Sequence, residues 1–169
     1  MASQVVADLR KRTDAAWENL NRQLQGMESH LDRADAPGEW TTRQVLAHLG
    51  FEPGSNPANL LKTFTERDLP LVDIKLGEVI VTPERKTMTL RQLLDALDAQ
   101  RRSVYAYLET LPEADLERRK ARIPLFKQFM GTDEISLAMF VGAMFDYHWN
   151  DHAGQLAKIR KAAGLPDAK

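Results

Sequence analysis

The sequence contains no cysteine. Disulfide bonds, zinc–thiolate clusters and a thiol nucleophile belonging to the chain itself are therefore excluded. Any thiol chemistry would have to use a thiol supplied from outside the protein.

An excess of charge of either sign is also missing. Charged residues make up 28% of the chain, but 23 Lys and Arg nearly balance 24 Asp and Glu, which leaves a formal net charge of −1. Such a surface produces no strong field that would attract polyanions. We therefore expect neither nucleic acid nor an acidic membrane surface as a partner.

Long hydrophobic runs are absent as well. The longest apolar segment, Ile135 to Phe145, is too short to cross a bilayer and continues into Asp146 and His148, so it is typical of a buried helix. The first twelve residues carry charges where a secretory signal needs an apolar stretch. These features favour a cytoplasmic protein.

The chain has the size and apolar content of a single domain spanning residues 1–169. Its 169 residues are 43% hydrophobic, which is enough for a substantial core. Apolar residues recur at spacings of three and four, the period of amphipathic helices. The predicted helices run from Ser3 to near His30, from Thr41 through Leu49, from Thr89 to just before Pro112, and from Thr132 to Ala163. The predicted fold is all-α, a four-helix bundle with long crossover connections.

Start and stop signals support these helices. Thr41 with Gln44, and Thr89 with Gln92, have the spacing of a capping box. Thr132 is the expected cap of the last helix. Two features modify the pattern: Pro53-Gly54 interrupts the second helix, with a restart at Asn56-Pro57, and residues 71–86 resemble an extended connection.

Three of the four histidines fall on apolar helix stripes. His148 and His152 are four residues apart and continue the row of Val141 and Phe145, so both imidazoles could reach one ion. His48 shares a face with neighbouring apolar residues on the second helix. A shared divalent cation such as Zn, Ni or Fe would satisfy all three rings. The alternative is a structural bundle in which these rings are hydrogen-bonded to each other or to water.

Other polar residues are weaker candidates for the chemistry. Asp151 and Glu52 are candidate catalytic bases near the histidines, although a solvated helix surface would also explain Asp151. Gln155, three residues after His152, could contact that ring or a substrate. Arg101 interrupts the apolar stripe of the third helix, where it could bind a substrate anion or extend to the surface. His30 has no apolar stripe around it, so exposure is expected.

Two segments together resemble the DinB-like, or YfiT-like, four-helix family: residues 40–49, WTTRQVLAHL, and residues 148–156, HWNDHAGQL. The resemblance covers nearly the whole chain in the order of its motifs. It implies a bundle with a three-histidine metal site at His48, His148 and His152. Relatives include metal-dependent hydrolases and transferases or isomerases that use low-molecular-weight thiols such as mycothiol and bacillithiol. The chain departs from the family at residues 52–57, EPGSNP, where relatives tend to continue the second helix.

The resulting hypothesis is a metal-dependent enzyme that activates water or a low-molecular-weight thiol for attack on a small-molecule substrate. The alternative is a metal-containing protein that binds a small molecule during stress without turning it over. Many bundles of this type pair through a helix face, so a homodimer is a further expectation.

Overall fold

The computed structural model describes residues 3–52, 54–75 and 77–169, and its architecture is a four-helix bundle, as predicted. In chain order the helices are α1 (Gln4–Leu24), α2 (Thr42–Leu49), α3 (Pro57–Leu61), α4 (Pro83–Thr87), α5 (Leu90–Leu108), α6 (Asp115–Arg118), α7 (Lys127–Met130), α8 (Leu137–Gly142) and α9 (His148–Ala162). A π-helical turn, Ala143–Tyr147, joins α8 to α9 in one continuous rod. The bundle consists of α1, α2 with α3, α5, and the α8–α9 rod, and α9 packs against both α1 and α2.

The apolar stripes predicted from the sequence form the core. Each bundle helix buries residues at spacings of three and four, which removes their side chains from water and stabilises the bundle. The fully buried large side chains include Leu20, Leu24, Met27, Leu46, Leu61, Leu108, Leu137 and Trp149.

Both predicted capping boxes are present. The Thr41 hydroxyl accepts a hydrogen bond from the Gln44 backbone N–H, and the Gln44 side chain accepts one from the Thr41 N–H. Thr89 and Gln92 repeat the same pair of bonds at the start of α5. Because each box satisfies backbone donors that the first helical turn leaves free, it fixes where the helix begins.

The predicted interruption of the second helix is confirmed. Helix α2 ends at Leu49, and α3 begins at Pro57 with the Asn56 side chain accepting a hydrogen bond from the Ala58 N–H. Pro53, which the prediction also used, lies outside the described residues. Gly54 has φ +81°, a left-handed conformation that favours glycine and suits a turn between two helices.

The predicted start of the last helix is wrong. Residues Glu134–Ser136 form strand β2, which pairs antiparallel with β1 (Lys120–Arg122), and the helix begins only at Leu137. Its cap is Ser136, whose hydroxyl accepts from the Met139 N–H. Thr132 instead accepts from the N–H of Glu134 in a local turn. Cross-strand pairing thus overrides a local capping signal that fits a helix equally well.

The connection between α3 and α5 has no strand in its described part and runs mostly without regular secondary structure. Leu71 forms a parallel bridge with Arg122, which attaches the connection to β1. The chain then passes close to α2, and the short helix α4, which the sequence pattern did not predict, precedes α5. This crossover carries Glu78, which lies at the histidines.

The apolar segment 135–145 is buried inside the protein. It occupies part of β2, all of α8 and the start of the π-helical turn, and Ile135, Leu137 and Val141 are fully buried. Within the described residues, no helix is both long and apolar enough to cross a membrane.

Candidate metal centre

Three histidine side chains meet where the end of α2 faces the start of α9. His48 lies in the last turn of α2, His148 is the first residue of α9, and His152 lies one turn further along. The Nε2 atom of His148 is 3.0 Å from Nε2 of His48 and 3.1 Å from Nε2 of His152. One nitrogen from each ring lies within 4.8 Å of the others, so the three rings form a single cluster.

The other ring nitrogens of two of these histidines have hydrogen-bond acceptors. Nδ1 of His48 donates to the backbone carbonyl of Glu78 at 2.7 Å, and Nδ1 of His152 donates to Oε1 of Gln155 at 2.8 Å. A carbonyl oxygen can only accept, so Nδ1 carries the proton in both rings and each neutral ring has its lone pair on Nε2. The Nε2 lone pairs of His48 and His152 therefore both face Nε2 of His148.

This arrangement suits a cation better than a set of hydrogen bonds. Nε2 of His148 can carry at most one proton, which it can donate to only one of its two neighbours, so the other close contact is left without a hydrogen bond. A metal ion accepts a lone pair from every ring. With Zn–N bonds of about 2.0–2.1 Å, ligand nitrogens in tetrahedral geometry are about 3.3 Å apart, close to the observed separations. The residues present thus fit a divalent metal ion.

The environment keeps the two histidines on α9 neutral. Burial, together with the neighbouring His152 and His48, lowers the pKa of His148 to about 3. Burial also lowers the pKa of His152, as does the neighbouring His48. The hydrogen bond that His152 donates to Gln155 and the charge of Asp151 act in the opposite direction and raise it. Neutral imidazole is the form that binds metals, so both rings have a free lone pair at physiological pH.

Trp40 forms one wall of the cluster, a role that the sequence prediction missed. Its indole lies nearly parallel to the His152 ring, with centroids 5.9 Å apart, and is tilted against the His48 ring at 4.8 Å. The sequence signal for this role was the position of Trp40 immediately before the cap of α2. An aromatic wall partly shields the imidazoles from water, which strengthens electrostatic interactions within the site.

The π-helical turn determines which residues of α9 face the core. The sequence placed His148 directly after Phe145 in a single buried row. In the structure the core row continues through Trp149, whose ring packs against Phe145 at 4.8 Å and against Trp17 of α1 at 5.5 Å. His148 lies beside that row and faces α2. Because a π-helical turn contains one residue more than an α-helical turn, it rotates the following helix, and such turns are frequent at functional sites.

Of three other predicted site residues, one contacts a histidine and the other two are exposed carboxylates. Gln155 contacts His152 directly. Asp151 is exposed but close enough for its charge to influence His152. Glu52 is exposed, and its backbone carbonyl accepts hydrogen bonds from Ser55. The structure gives neither carboxylate a hydrogen bond to a histidine within the described part of the chain.

Arg101 is engaged by the protein's own acids. Its guanidinium forms ion pairs with Asp14 and Asp98 and lies 5.6 Å from the centre of the Trp17 ring. Two carboxylates neutralise its charge, which leaves little attraction for a substrate anion. His30 is half-buried in a 3₁₀ turn rather than exposed as expected, and it lies outside the histidine cluster.

The fold and the cluster together define a class of helical bundle with three converging histidines that could hold a metal ion. The DinB superfamily model matches residues 7–156, so the chain belongs to the DinB superfamily. The protein is structurally similar to YfiT from Bacillus subtilis, described as a probable metal-dependent hydrolase with an unusual four-helix bundle topology. That similarity has a TM-score of 0.67 at 21% identity and covers 94% of this chain and 89% of YfiT. No curated protein matches the chain.

Proposed function

We propose that this protein is a metal-dependent enzyme that uses a divalent cation such as Zn, Ni or Fe to activate water or a low-molecular-weight thiol for hydrolysis or S-transfer. The observation that carries the proposal is the convergence of three Nε2 atoms, two of them with lone pairs fixed by acceptors at Nδ1. The description of the structurally similar YfiT as a probable metal-dependent hydrolase agrees with it.

The chain's own residues would hold and orient the ligand nitrogens. His48, His148 and His152 provide three neutral donors, and three protein ligands leave further coordination positions for water or substrate. A divalent cation bound there would lower the pKa of a water or thiol so that its anion forms at neutral pH. Trp40 would limit the access of bulk water from one side.

We propose a small molecule as substrate, with any thiol arriving as a cosubstrate because the chain has no cysteine. Of the two predicted bases, Asp151 is the better candidate since its charge acts on His152, whereas the structure gives Glu52 no such link. In this role Asp151 would accept a proton from the attacking water or thiol.

The metal site is tested by metal analysis of untagged protein, with His148→Ala as the disabled variant and His30→Ala as the matched control. We expect about one equivalent of metal per chain in the wild type and in His30→Ala, and less than about a tenth in His148→Ala, since two imidazoles do not define a site. Equal metal content in all three proteins would contradict the proposal.

Turnover is tested with the metal-loaded protein on panels of activated esters and amides, and on electrophiles mixed with small thiols. We expect catalysis in one panel, its loss in His152→Ala and a reduced rate in Asp151→Asn. A background rate in every panel, with metal bound, would instead favour the binding protein without turnover.

A further inference from the structure

Arg85 is a buried cation close to the histidine cluster. Its side chain is 6% exposed, and its guanidinium donates to the carbonyl oxygens of Ala47 at 3.2 Å, Ile80 at 2.9 Å and Phe51. Among the described residues, no carboxylate forms an ion pair with it. Since a buried charge is costly unless it is well hydrogen-bonded, these three carbonyls account for its position.

The carbonyls belong to two separate segments. Ala47 and Phe51 lie at the carboxyl end of α2, where unpaired carbonyls and the helix dipole favour a cation. Ile80 belongs to the crossover between α3 and α5. Arg85 therefore fastens the crossover to the end of α2 that carries His48.

Two neighbouring residues accommodate the Arg85 guanidinium: Gly50 leaves space for it, and Gln100 holds one of its acceptors. A Cβ added at Gly50 would lie 3.1 Å from its Nη2 atom, so glycine leaves the space that Arg85 occupies. The amide of Gln100 on α5 accepts from the backbone N–H of Phe51 at 3.1 Å, which holds one of the three carbonyl groups in place.

The fastened crossover also contacts His48. Glu78, two residues before Ile80, provides the carbonyl that accepts from Nδ1 of His48. Gly77 lies against the Trp40 ring at 4.0 Å from the position of an added Cβ. The backbone that fixes the His48 tautomer is thus the backbone that Arg85 attaches to α2.

We propose that Arg85 is a positioning residue for the metal centre: by holding the crossover on α2, it keeps the Glu78 carbonyl on Nδ1 of His48 and so directs the Nε2 lone pair toward the cation. The inference rests on the proposed metal site. Groups that orient metal-binding histidines in this way typically change metal affinity about 10- to 100-fold when they are removed.

The test compares Arg85→Lys with Arg160→Lys. Arg160 is a matched control because it is equally buried, at 7% exposed, and also donates to three backbone carbonyls, those of Pro166, Gln23 and Gln25. It lies about 18 Å along the helix from His148, at a rise of about 1.5 Å per residue. Lysine keeps the charge but lacks the planar fork that reaches several carbonyls.

Two quantities are measured in each folded protein. The first is zinc affinity by competition with a chelator, which we expect to fall about 10-fold or more in Arg85→Lys. The second is the His48 tautomer in the metal-free protein by ¹⁵N NMR, which we expect to be Nδ1–H in the wild type and mixed in Arg85→Lys. Arg160→Lys should match the wild type in both.

The inference is supported if Arg85→Lys shows both the lower zinc affinity and the mixed His48 tautomer while Arg160→Lys shows neither. When the wild type binds zinc, any other combination overturns the inference. If the wild type binds none of Zn²⁺, Ni²⁺ and Fe²⁺, the proposed function fails, and the tautomer alone decides whether Arg85 orients His48: a mixture in Arg85→Lys supports this role, and an unchanged Nδ1–H overturns it. If Arg85→Lys does not fold, Gly50→Ala replaces it, because the added methyl displaces the guanidinium without removing it.

Discussion

The indole of Trp40 is stacked on the imidazole of His152, with the two ring planes only 9° from parallel. The same indole contacts His48, so one aromatic side chain touches two of the three clustered histidines from two different helices. A change in either imidazole therefore changes the surroundings of Trp40 directly.

Trp40 should report metal binding by fluorescence. We expect Co²⁺ or Ni²⁺ to quench tryptophan emission as it binds. Trp40→Phe should remove most of the quenching, because the other two tryptophans, Trp17 and Trp149, pack against each other in the core and not against the histidine rings. Trp17→Phe is the control and should keep the response. Quenching of wild-type size in Trp40→Phe would show that the ion binds elsewhere.

Gln155 should contribute to metal affinity through His152. Replacing it with Leu removes the acceptor of the Nδ1 proton, so we expect zinc affinity to fall about 10- to 100-fold. Gln155→Glu retains an acceptor oxygen and should stay close to the wild type. Chelator competition measures both. Equal affinity in Gln155→Leu and the wild type would mean that this hydrogen bond does not orient the ring.

The sequence predicts the parts of this fold that depend on local interactions. The boxes at Thr41 and Thr89 are correctly predicted because each is formed by residues three apart. The start of the last helix is not, because Glu134–Ser136 pairs with Lys120–Arg122, and no local pattern reveals such a partner. Propensity near Thr132 is therefore outweighed by contacts formed only in the folded chain.

For the site too, the sequence predicts the features that depend on local spacing and misses those that depend on the folded backbone. The spacing of His148 and His152, with His48 on an apolar stripe, together with the resemblance to the DinB-like family, predicts that the three rings converge. The Glu78 carbonyl could not be found by this reasoning, because a backbone group in a crossover carries no sequence signal. The π-helical turn before His148 was also missed, since hydrophobic periodicity assumes a constant helical repeat.

Tyr105 should make stability depend on pH in the alkaline range. Burial raises the pKa of its hydroxyl, which pairs with the Thr13 hydroxyl at 2.5 Å, to about 12, whereas the unfolded chain ionises near its ordinary value of 10. Between these values only the unfolded state loses the proton. The contribution of Tyr105 is therefore complete below about pH 10 and is lost as pH rises toward 12, at about 1.4 kcal/mol per pH unit.

Urea unfolding at pH 9 and pH 11.5 measures this dependence, with Tyr105→Phe as the control for all other titrating groups. We expect the wild type to lose about 2 kcal/mol more than Tyr105→Phe over this range, an order-of-magnitude value. Parallel losses in the two proteins would show that Tyr105 ionises as easily in the folded state as in the unfolded state.

The two capping boxes make it possible to test whether zinc affinity depends on the orientation of α2 or on the overall stability of the bundle. Thr41→Ala and Thr89→Ala each remove one cap of the same type, so each should lower the free energy of unfolding by about 1 kcal/mol. Of the two capped helices, α2 and α5, only α2 carries a clustered histidine, and α2 is the shorter, with eight residues against nineteen. We therefore expect Thr41→Ala alone to weaken zinc binding, measured by chelator competition under conditions where both variants are fully folded. If both variants weakened it equally, zinc affinity would depend on the overall stability of the bundle and not on the orientation of α2.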